Sequence, residues 1–279
     1  MCAGHHGNLS DHDYCNVFDW SQRRWKSRKR MDVALSYVAS AVVDNRFLYL
    51  IGGWQYKYKR TLDTIYRYDS RSDNWRTLAP MQQPAVWSAA AAAAPSSDRE
   101  GGDDIFVCGG AFYDSHSEIL VTDKCQMYSP RLDTWQESVA NLTQPRGYHA
   151  MIHWDSKLIV IGGTCRNKTL CTTVEELDLR LPAHLRQWKE VATMDTPRSK
   201  FAAALITVSQ WPVQTHLFHQ GHGANFHDGR ILVVSSGREE RLPYVYDELY
   251  EPELGKFIRA PSPGVGRSMP AFGKIGTGL

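Results

Sequence analysis

Seven basic residues, Arg60, Arg146, Arg166, Arg198, Lys200, Arg238 and Arg267, fall in short segments that also carry Tyr56, Tyr58, Trp87, Tyr113 and Tyr148. Arginine presents a rigid fork of donors that matches a carboxylate. Arginine together with tyrosine and tryptophan is the composition of protein-binding hot spots. Such a set suits capture of a protein segment, an acidic one in particular, rather than bond making. Each arginine has a plain structural use as well, contact with a neighbouring loop; taken together, the set reads as a binding surface.

Other clusters carry less. "THLFHQGHGANFHD" places His216, His219, His222 and His227 within twelve residues, a spacing open to zinc, but only Asp228 is at hand to complete a ligand set, so the segment reads as a solvated loop without metal. "SSDREGGDD" (96–104) likewise reads as a loop. "RRWKSRKR" (23–30) has six basic residues in eight; a nuclear signal or anionic contact is one reading, an outer strand whose charges guard an edge the simpler one. There is no nucleophile with a paired base and no glycine-rich phosphate loop, so neither catalysis nor a cofactor is expected.

The 279 residues are 42% apolar and 22% charged, with a net charge of +2, which fits a globular chain and disfavours a nucleic-acid binder. No apolar run approaches a membrane span. "MCAGHHGNLSDHD" has neither the basic nor the apolar region of a signal peptide. The six cysteines (Cys2, Cys15, Cys108, Cys125, Cys165, Cys171) are accordingly expected as reduced thiols of a cytoplasmic protein, with a nuclear location the second choice, and the sequons at Asn8, Asn141 and Asn167 as chance. Nothing near Cys165 or Cys171 points to a lowered thiol pKa.

The elements that must position the arginines and aromatics show up as a repeat. Three apolar runs, "FLYLIGG", "DIFVCGG" and "KLIVIGG", end at Gly52–Gly53, Gly109–Gly110 and Gly162–Gly163, and a degraded copy, "RILVVSSG", ends at Gly237. The last glycine of each stands 22, 25, 25 and 20 positions before an aromatic: Trp75, Trp135, Trp188 and Phe257. Gly4 stands 21 before Trp25. Successive glycine pairs are 57 and 53 residues apart, and the step of 74 to Gly237 contains an insertion. After the aromatic comes a small-residue segment, as in "QPRGYHAM" (144–151), "TPRSKFAAAL" (196–205) and "VGRSMPAF" (265–272).

A period near 50 with short strands, ordered as glycine pair, Tyr-Asp turn, spaced Trp and Pro-Arg, resembles the kelch repeat over essentially the whole chain. The resemblance implies an all-β propeller of four-stranded antiparallel blades, strands a to d from the centre outward. The glycine-ended run is then strand b, covered on both faces and so apolar throughout. Glycine permits the turn that leaves it, and the strand d tryptophan packs between blades. "WSAAAAAAPSS" favours helix by propensity, but the register places its alanines on strand a, where strands converge on the axis and only small side chains fit.

One domain, 1–279, is expected, with blades at 36–80, 85–140, 147–192 and 199–260, a partial blade at 3–30 and a lone strand at 266–275. Two closures are open: a five-bladed ring with a defective closing blade, or part of a six-bladed ring. The second is preferred because the chain starts and stops in mid-blade.

The b–c and d–a loops share one face and gather the arginines and aromatics there. The whole chain looks like the propeller of kelch-like proteins that carry BTB and BACK domains upstream. That likeness implies a non-catalytic substrate receptor, capturing a partner segment for a cullin-type ubiquitin ligase recruited by upstream domains absent here. Matching contact positions are Arg146 with Tyr148, Arg198 with Ser199, and Arg267 with Ser268. The pattern is lost at Pro84-Ala85, where Trp87 follows, and at 28–30. Actin binding is the alternative. A kelch-fold enzyme of the sugar mutarotase or copper oxidase type ranks below it, since Tyr148 and His149 lack a partner cysteine for copper.

Overall fold

A computed structural model of the chain describes residues 2–3, 5–6, 10–19, 21–93, 103–113, 118–136, 139–206, 230–234, 248–251 and 255–259. Among them the regular structure is strand and short 3-10 turn, without α-helix. Four antiparallel four-stranded sheets follow one another along the chain. The first comprises Ala39–Val43, Phe47–Ile51, Ile65–Asp69 and Asn74–Leu78. The second comprises Ala89–Ala93, Asp104–Cys108, Cys125–Ser129 and Thr134–Gln136. The third comprises Ala150–Trp154, Lys157–Ile161, Thr173–Asp178 and Lys189–Thr193. The fourth comprises Ala202–Ile206, Arg230–Val234, Glu248–Glu251 and Lys256–Arg259. Ahead of them, Cys15–Asp19 pairs with Arg24–Arg28.

Strands are lettered a to d in chain order within each sheet. The a strands of successive sheets pack on one another, and the cores lie between sheets. Ile51 and Ile65 of the first pack with Ile105 and Val107 of the second. Phe106 and Cys108 of the second pack with Leu158 and Val160 of the third. Ile159 and Ile161 of the third pack with Tyr250 of the fourth. A strand b sandwiched this way has no solvent face, which is why Asp104–Cys108 is buried at every position. The alanine run is strand: Ala89–Ala93 pairs residue for residue with Cys108–Asp104. Packing against the a strands on either side overrides the helical propensity of alanine.

The glycine pairs end strand b because the next sheet's backbone sits against them. Gly109 and Gly110 have φ of +62° and +99°. A Cβ on Gly109 would stand 2.5 Å from the Arg146 carbonyl oxygen. Gly110 N–H donates to that same oxygen at 2.7 Å. Both features, left-handed backbone and contact without a Cβ, belong to glycine alone.

At the outer edge a second device joins the sheets. Trp75, Trp135 and Trp188 donate their indole N–H to the backbone oxygens of Lys29, Ala79 and Ala140, each in the segment after the preceding d strand. In two copies an aspartate completes the clamp. Asp73 accepts from the Tyr68 hydroxyl at 2.5 Å and from Lys29 N–H, and Asp133 accepts from Tyr128 at 2.6 Å and from Ala79 N–H. These hydrogen bonds, the tyrosine's first, hold both carboxyls below the usual range. In the fourth sheet Phe257 packs on Tyr250 with no N–H to offer.

The cysteine expectation is corrected. The structure pairs Cys2 with Cys15, Cys108 with Cys125 and Cys165 with Cys171, leaving none free among the described residues. Register is the reason: Cys108 stands directly across from Cys125 on adjoining strands, and Cys2 bridges Cys15. The sequence separations of 17, 13 and 6 gave no sign of this. Of the sequons, Asn141 and Asn167 are exposed.

Candidate functional site: an aromatic channel mouth

Just before strand a, each sheet holds one non-glycine residue in left-handed conformation: Tyr37, Trp87, Tyr148 and Lys200, with φ between 53° and 60°. Such backbone costs free energy unless its surroundings enforce it. Here a ladder enforces it: Trp87 N–H donates to the Tyr37 carbonyl at 3.3 Å, Tyr148 N–H to Trp87 at 2.8 Å, and Lys200 N–H to Tyr148 at 3.0 Å. The four side chains consequently meet where the a strands converge. Trp87 stacks on Tyr148 with centroids 4.3 Å apart, Tyr37 stands edge-on to both, and the Lys200 ammonium lies 4.8 Å above Tyr148. Burial pushes the Tyr148 phenol well above its ordinary pKa, so it stays protonated.

Between these rings opens a cavity of about 170 Å³, with Ser88 and His149, the residues after Trp87 and Tyr148, among its lining. His149 is only 6% exposed. Burial, then the nearby Arg146 charge, pushes its pKa down to about 3, so the ring is neutral. The backbone of Cys108 faces the ring, but neither ring nitrogen makes a well-formed hydrogen bond, nor do Trp87 Nε1 and Ser88 Oγ, which are also buried.

The b–c loops extend the aromatic surface outward. Trp54 packs on Tyr113 at 4.6 Å, the Tyr56 hydroxyl lies 3.5 Å from that of Tyr37, and Tyr58 is 57% exposed under Lys57 and Arg60. Lys57, Lys59, Arg60 and Arg166 are all exposed.

Of the expected contact residues, Trp87, Tyr148 and Lys200 come together at the mouth, and Tyr56, Tyr58, Arg60 and Tyr113 border it. Arg166 is exposed on a 3-10 turn, Arg166–Lys168, and Arg238 and Arg267 lie outside the described residues, as do His216, His219, His222, His227 and Gly237. Two arginines are corrected. Arg146 is 0% exposed: it is paired with the equally buried Glu175 and donates to the Gly162 and Thr173 carbonyls. Arg198 is buried as well. Arg146 is scaffold, because its guanidinium satisfies carbonyls at the glycine turn that ends strand b. Tyr37 and Trp54 escaped the sequence reading. The signal for Tyr37 is its place two residues before strand a, shared with Trp87, Tyr148 and Lys200, in a copy that lacks Pro-Arg.

Radially ordered four-stranded sheets, glycine-ended inner strands and tryptophan clamps define a kelch-type β-propeller. The profile of the Attractin/LZTR1 beta-propeller family matches residues 8–178, and the chain belongs to that family. Kelch-like protein 26 of Danio rerio is 23% identical over 243 residues, covering 72% of this chain and 39% of its own. Kelch repeat-containing protein kel-10 of Caenorhabditis elegans is 28% identical over 167 residues, covering 58% of this chain and 27% of its own. The chain thus spans less than two-fifths of these curated relatives. The solved structure titled "Structure of YjhT" superposes with a TM-score of 0.67 over 93% of this chain and 80% of its own, at 12% identity, a likeness of fold. Among the described residues no helix is long and apolar enough to cross a membrane, and no group of three or more His, Cys, Asp or Glu is placed to hold a metal ion.

Proposed function

We propose that the chain is a protein-binding propeller which holds an extended segment of a partner across the aromatic mouth, as a non-catalytic receptor. The observation that carries this is the Tyr37–Trp87–Tyr148 cluster, three large rings fixed by the backbone ladder on a partly exposed surface. Rigid aromatic anchors bordered by exposed cations have the make-up of a hot spot. The kelch-like names of the relatives support a place as substrate receptor in a ubiquitin-ligase adaptor, and one relative is named as a kelch repeat and BTB domain-containing protein. In that reading the mouth selects the substrate and ligase recruitment belongs to other domains.

Selection of a displayed random 12-mer library on the 279-residue chain tests it. Selected peptides should lose at least ten-fold in affinity on Tyr148→Ala while Trp25→Ala leaves them unchanged. Peptides indifferent to Tyr148 and to Trp87→Ala would refute a partner site at the mouth, and co-sedimentation with actin filaments would then separate the cytoskeletal alternative.

A further inference from the structure

The cysteine pairs are not equally placed. Cys108 and Cys125 face each other inside the second sheet, 0% and 5% exposed, where the strand ladder already holds them together. Cys165 and Cys171 lie outside the four-stranded sheets, in the b–c loop of the third. Cys165 is half-buried and Cys171 buried, while Arg166, Asn167, Lys168 and Thr169 between them are exposed. Asn167 and Lys168 are left-handed, with φ of 57° and 59°. The turn rests on backbone bonds from Cys165 N–H to Thr169, from Thr169 N–H to Arg166 and from Cys171 N–H to Gly163. Beside Cys165 stands a group that suits a thiol better than a disulfide. Gln144 Oε1 lies 3.3 Å from the Cys165 sulfur. A thiol has a proton to give that oxygen, and a disulfide sulfur has none. The amide is held from its other side, where Gln144 Nε2 donates to Thr173 Oγ1 at 2.8 Å, and the same hydroxyl oxygen takes an N–H of Arg146 at 2.8 Å. The acceptor is thus anchored in the buried Arg146–Glu175 network.

We propose that Cys165 and Cys171 form a thiol–disulfide modification site, reversible in the folded protein, which sets how firmly the exposed turn 166–170 is held. In the reduced form the Cys165 thiol donates to Gln144; in the oxidised form the bond between the cysteines closes the turn. The oxidant is a low-molecular-weight disulfide of the glutathione class. The more accessible Cys165 attacks it as thiolate, forms a mixed disulfide and releases one glutathione. The Cys171 thiolate then attacks the Cys165 sulfur and expels the second. Two protein thiols give up two protons and two electrons, and one glutathione disulfide becomes two glutathiones. Cys108 and Cys125, buried on adjoining strands, stay out of this exchange.

The native 279-residue chain, equilibrated at stepped ratios of glutathione to its disulfide, gives the readout. Alkylation followed by peptide mass mapping reports each cysteine pair, and brief trypsin treatment reports cleavage after Arg166 and Lys168. Cys165–Cys171 should open and close reversibly, with opening about ten-fold faster than that of Cys108–Cys125, since exchange requires access to a sulfur. Cleavage in the turn should be several-fold faster in the reduced form. Cys165→Ser keeps a donor for Gln144 but cannot oxidise, so its cleavage should be fast at every ratio. Gln144→Leu removes the acceptor from the reduced form alone, and its midpoint should move about three-fold towards the disulfide, as the loss of one modest hydrogen bond implies. A Cys165–Cys171 bond that opens no faster than Cys108–Cys125 would overturn the site and make this pair structural. Equal cleavage of the two forms would overturn its hold on the turn, and an unmoved midpoint in Gln144→Leu would strike out the built-in reduced state. None of these readouts needs a bound partner, so the site stands or falls separately from the mouth.

Discussion

The outer clamp and the channel mouth are built by the same repeat, yet they use it in opposite ways. At the clamp the repeat preserves side chains: Trp75 and Trp135, Asp73 and Asp133, Tyr68 and Tyr128 make the same bonds in two successive copies. At the mouth it preserves only backbone. One left-handed position and one ladder recur, while the residue changes from tyrosine to tryptophan to tyrosine to lysine. The clamp's polar atoms satisfy one another, whereas at the mouth Trp87 Nε1 and Ser88 Oγ are buried without a well-formed hydrogen bond. A repeat protein can keep its architecture by fixing the first kind of position and its specificity by varying the second, because backbone hydrogen bonds are indifferent to the side chain they carry.

Arg146 tests where the boundary between the two runs, and it should give the largest effect. Its pairing with Glu175 is fully buried, and removal of one partner from such a pair leaves an uncompensated charge at a cost of about 3–5 kcal/mol. Glu175→Ala is expected to lower the urea midpoint accordingly. Arg146→Met combined with Glu175→Leu should recover much of that loss, since apolar replacement of a buried pair is often neutral. A Glu175→Ala chain of unchanged stability would move Arg146 out of the scaffold and back among the contact residues.

His149, at the mouth, gives the next effect. Its folded pKa of about 3 lies below the unfolded value near 6.5. The unfolded chain therefore takes up this proton first, and stability is lost as pH falls from about 6.5 towards 3. Over pH 6 to 4.5 the contribution approaches about 1.4 kcal/mol per pH unit. Below that window Asp178, held near 2 chiefly by its hydrogen bond with Arg180, begins to add its own loss. Urea unfolding of His149→Gln at several pH values should show a flatter slope than the parent over pH 6 to 4.5. Equal slopes would mean that the ring is solvated and the cavity beneath the aromatics open.

The same contrast explains how far the molecule is legible from its sequence. Glycine pairs and tryptophans announce the propeller because they repeat as residue types at a readable spacing. Even the alanine run yields to that register and forms strand a. Arg146 misleads because the letters Pro-Arg look alike whether the guanidinium is free or paired, and Glu175, 29 residues on, joins it only through strand pairing. Tyr37 is missed because what it shares with Trp87 and Tyr148 is a backbone conformation, which leaves no mark in residue type. The cysteine pairs are hidden for a similar reason: separations of 13, 17 and 6 acquire meaning only from the register.

The smallest effect separates one tryptophan of the repeat from the others. Trp135 donates to Ala79 of the preceding segment at 3.0 Å and packs beside Tyr128. Trp25 occupies the matching place in the two-stranded sheet but is 59% exposed, with Phe18 as its ring neighbour at 5.4 Å. Phenylalanine keeps the ring and removes the donor, so the exchange isolates the indole hydrogen bond. Trp135→Phe should cost about 1 kcal/mol, the net worth of one such bond plus an acceptor left short. Trp25→Phe should stay within about 0.5 kcal/mol, as surface changes do. Urea midpoints of the two variants make the comparison. Equal losses would show that the tryptophan acts through its apolar area alone, and the clamp would then reduce to packing; unequal losses would place the hydrogen bond itself among the forces that hold one blade to the next.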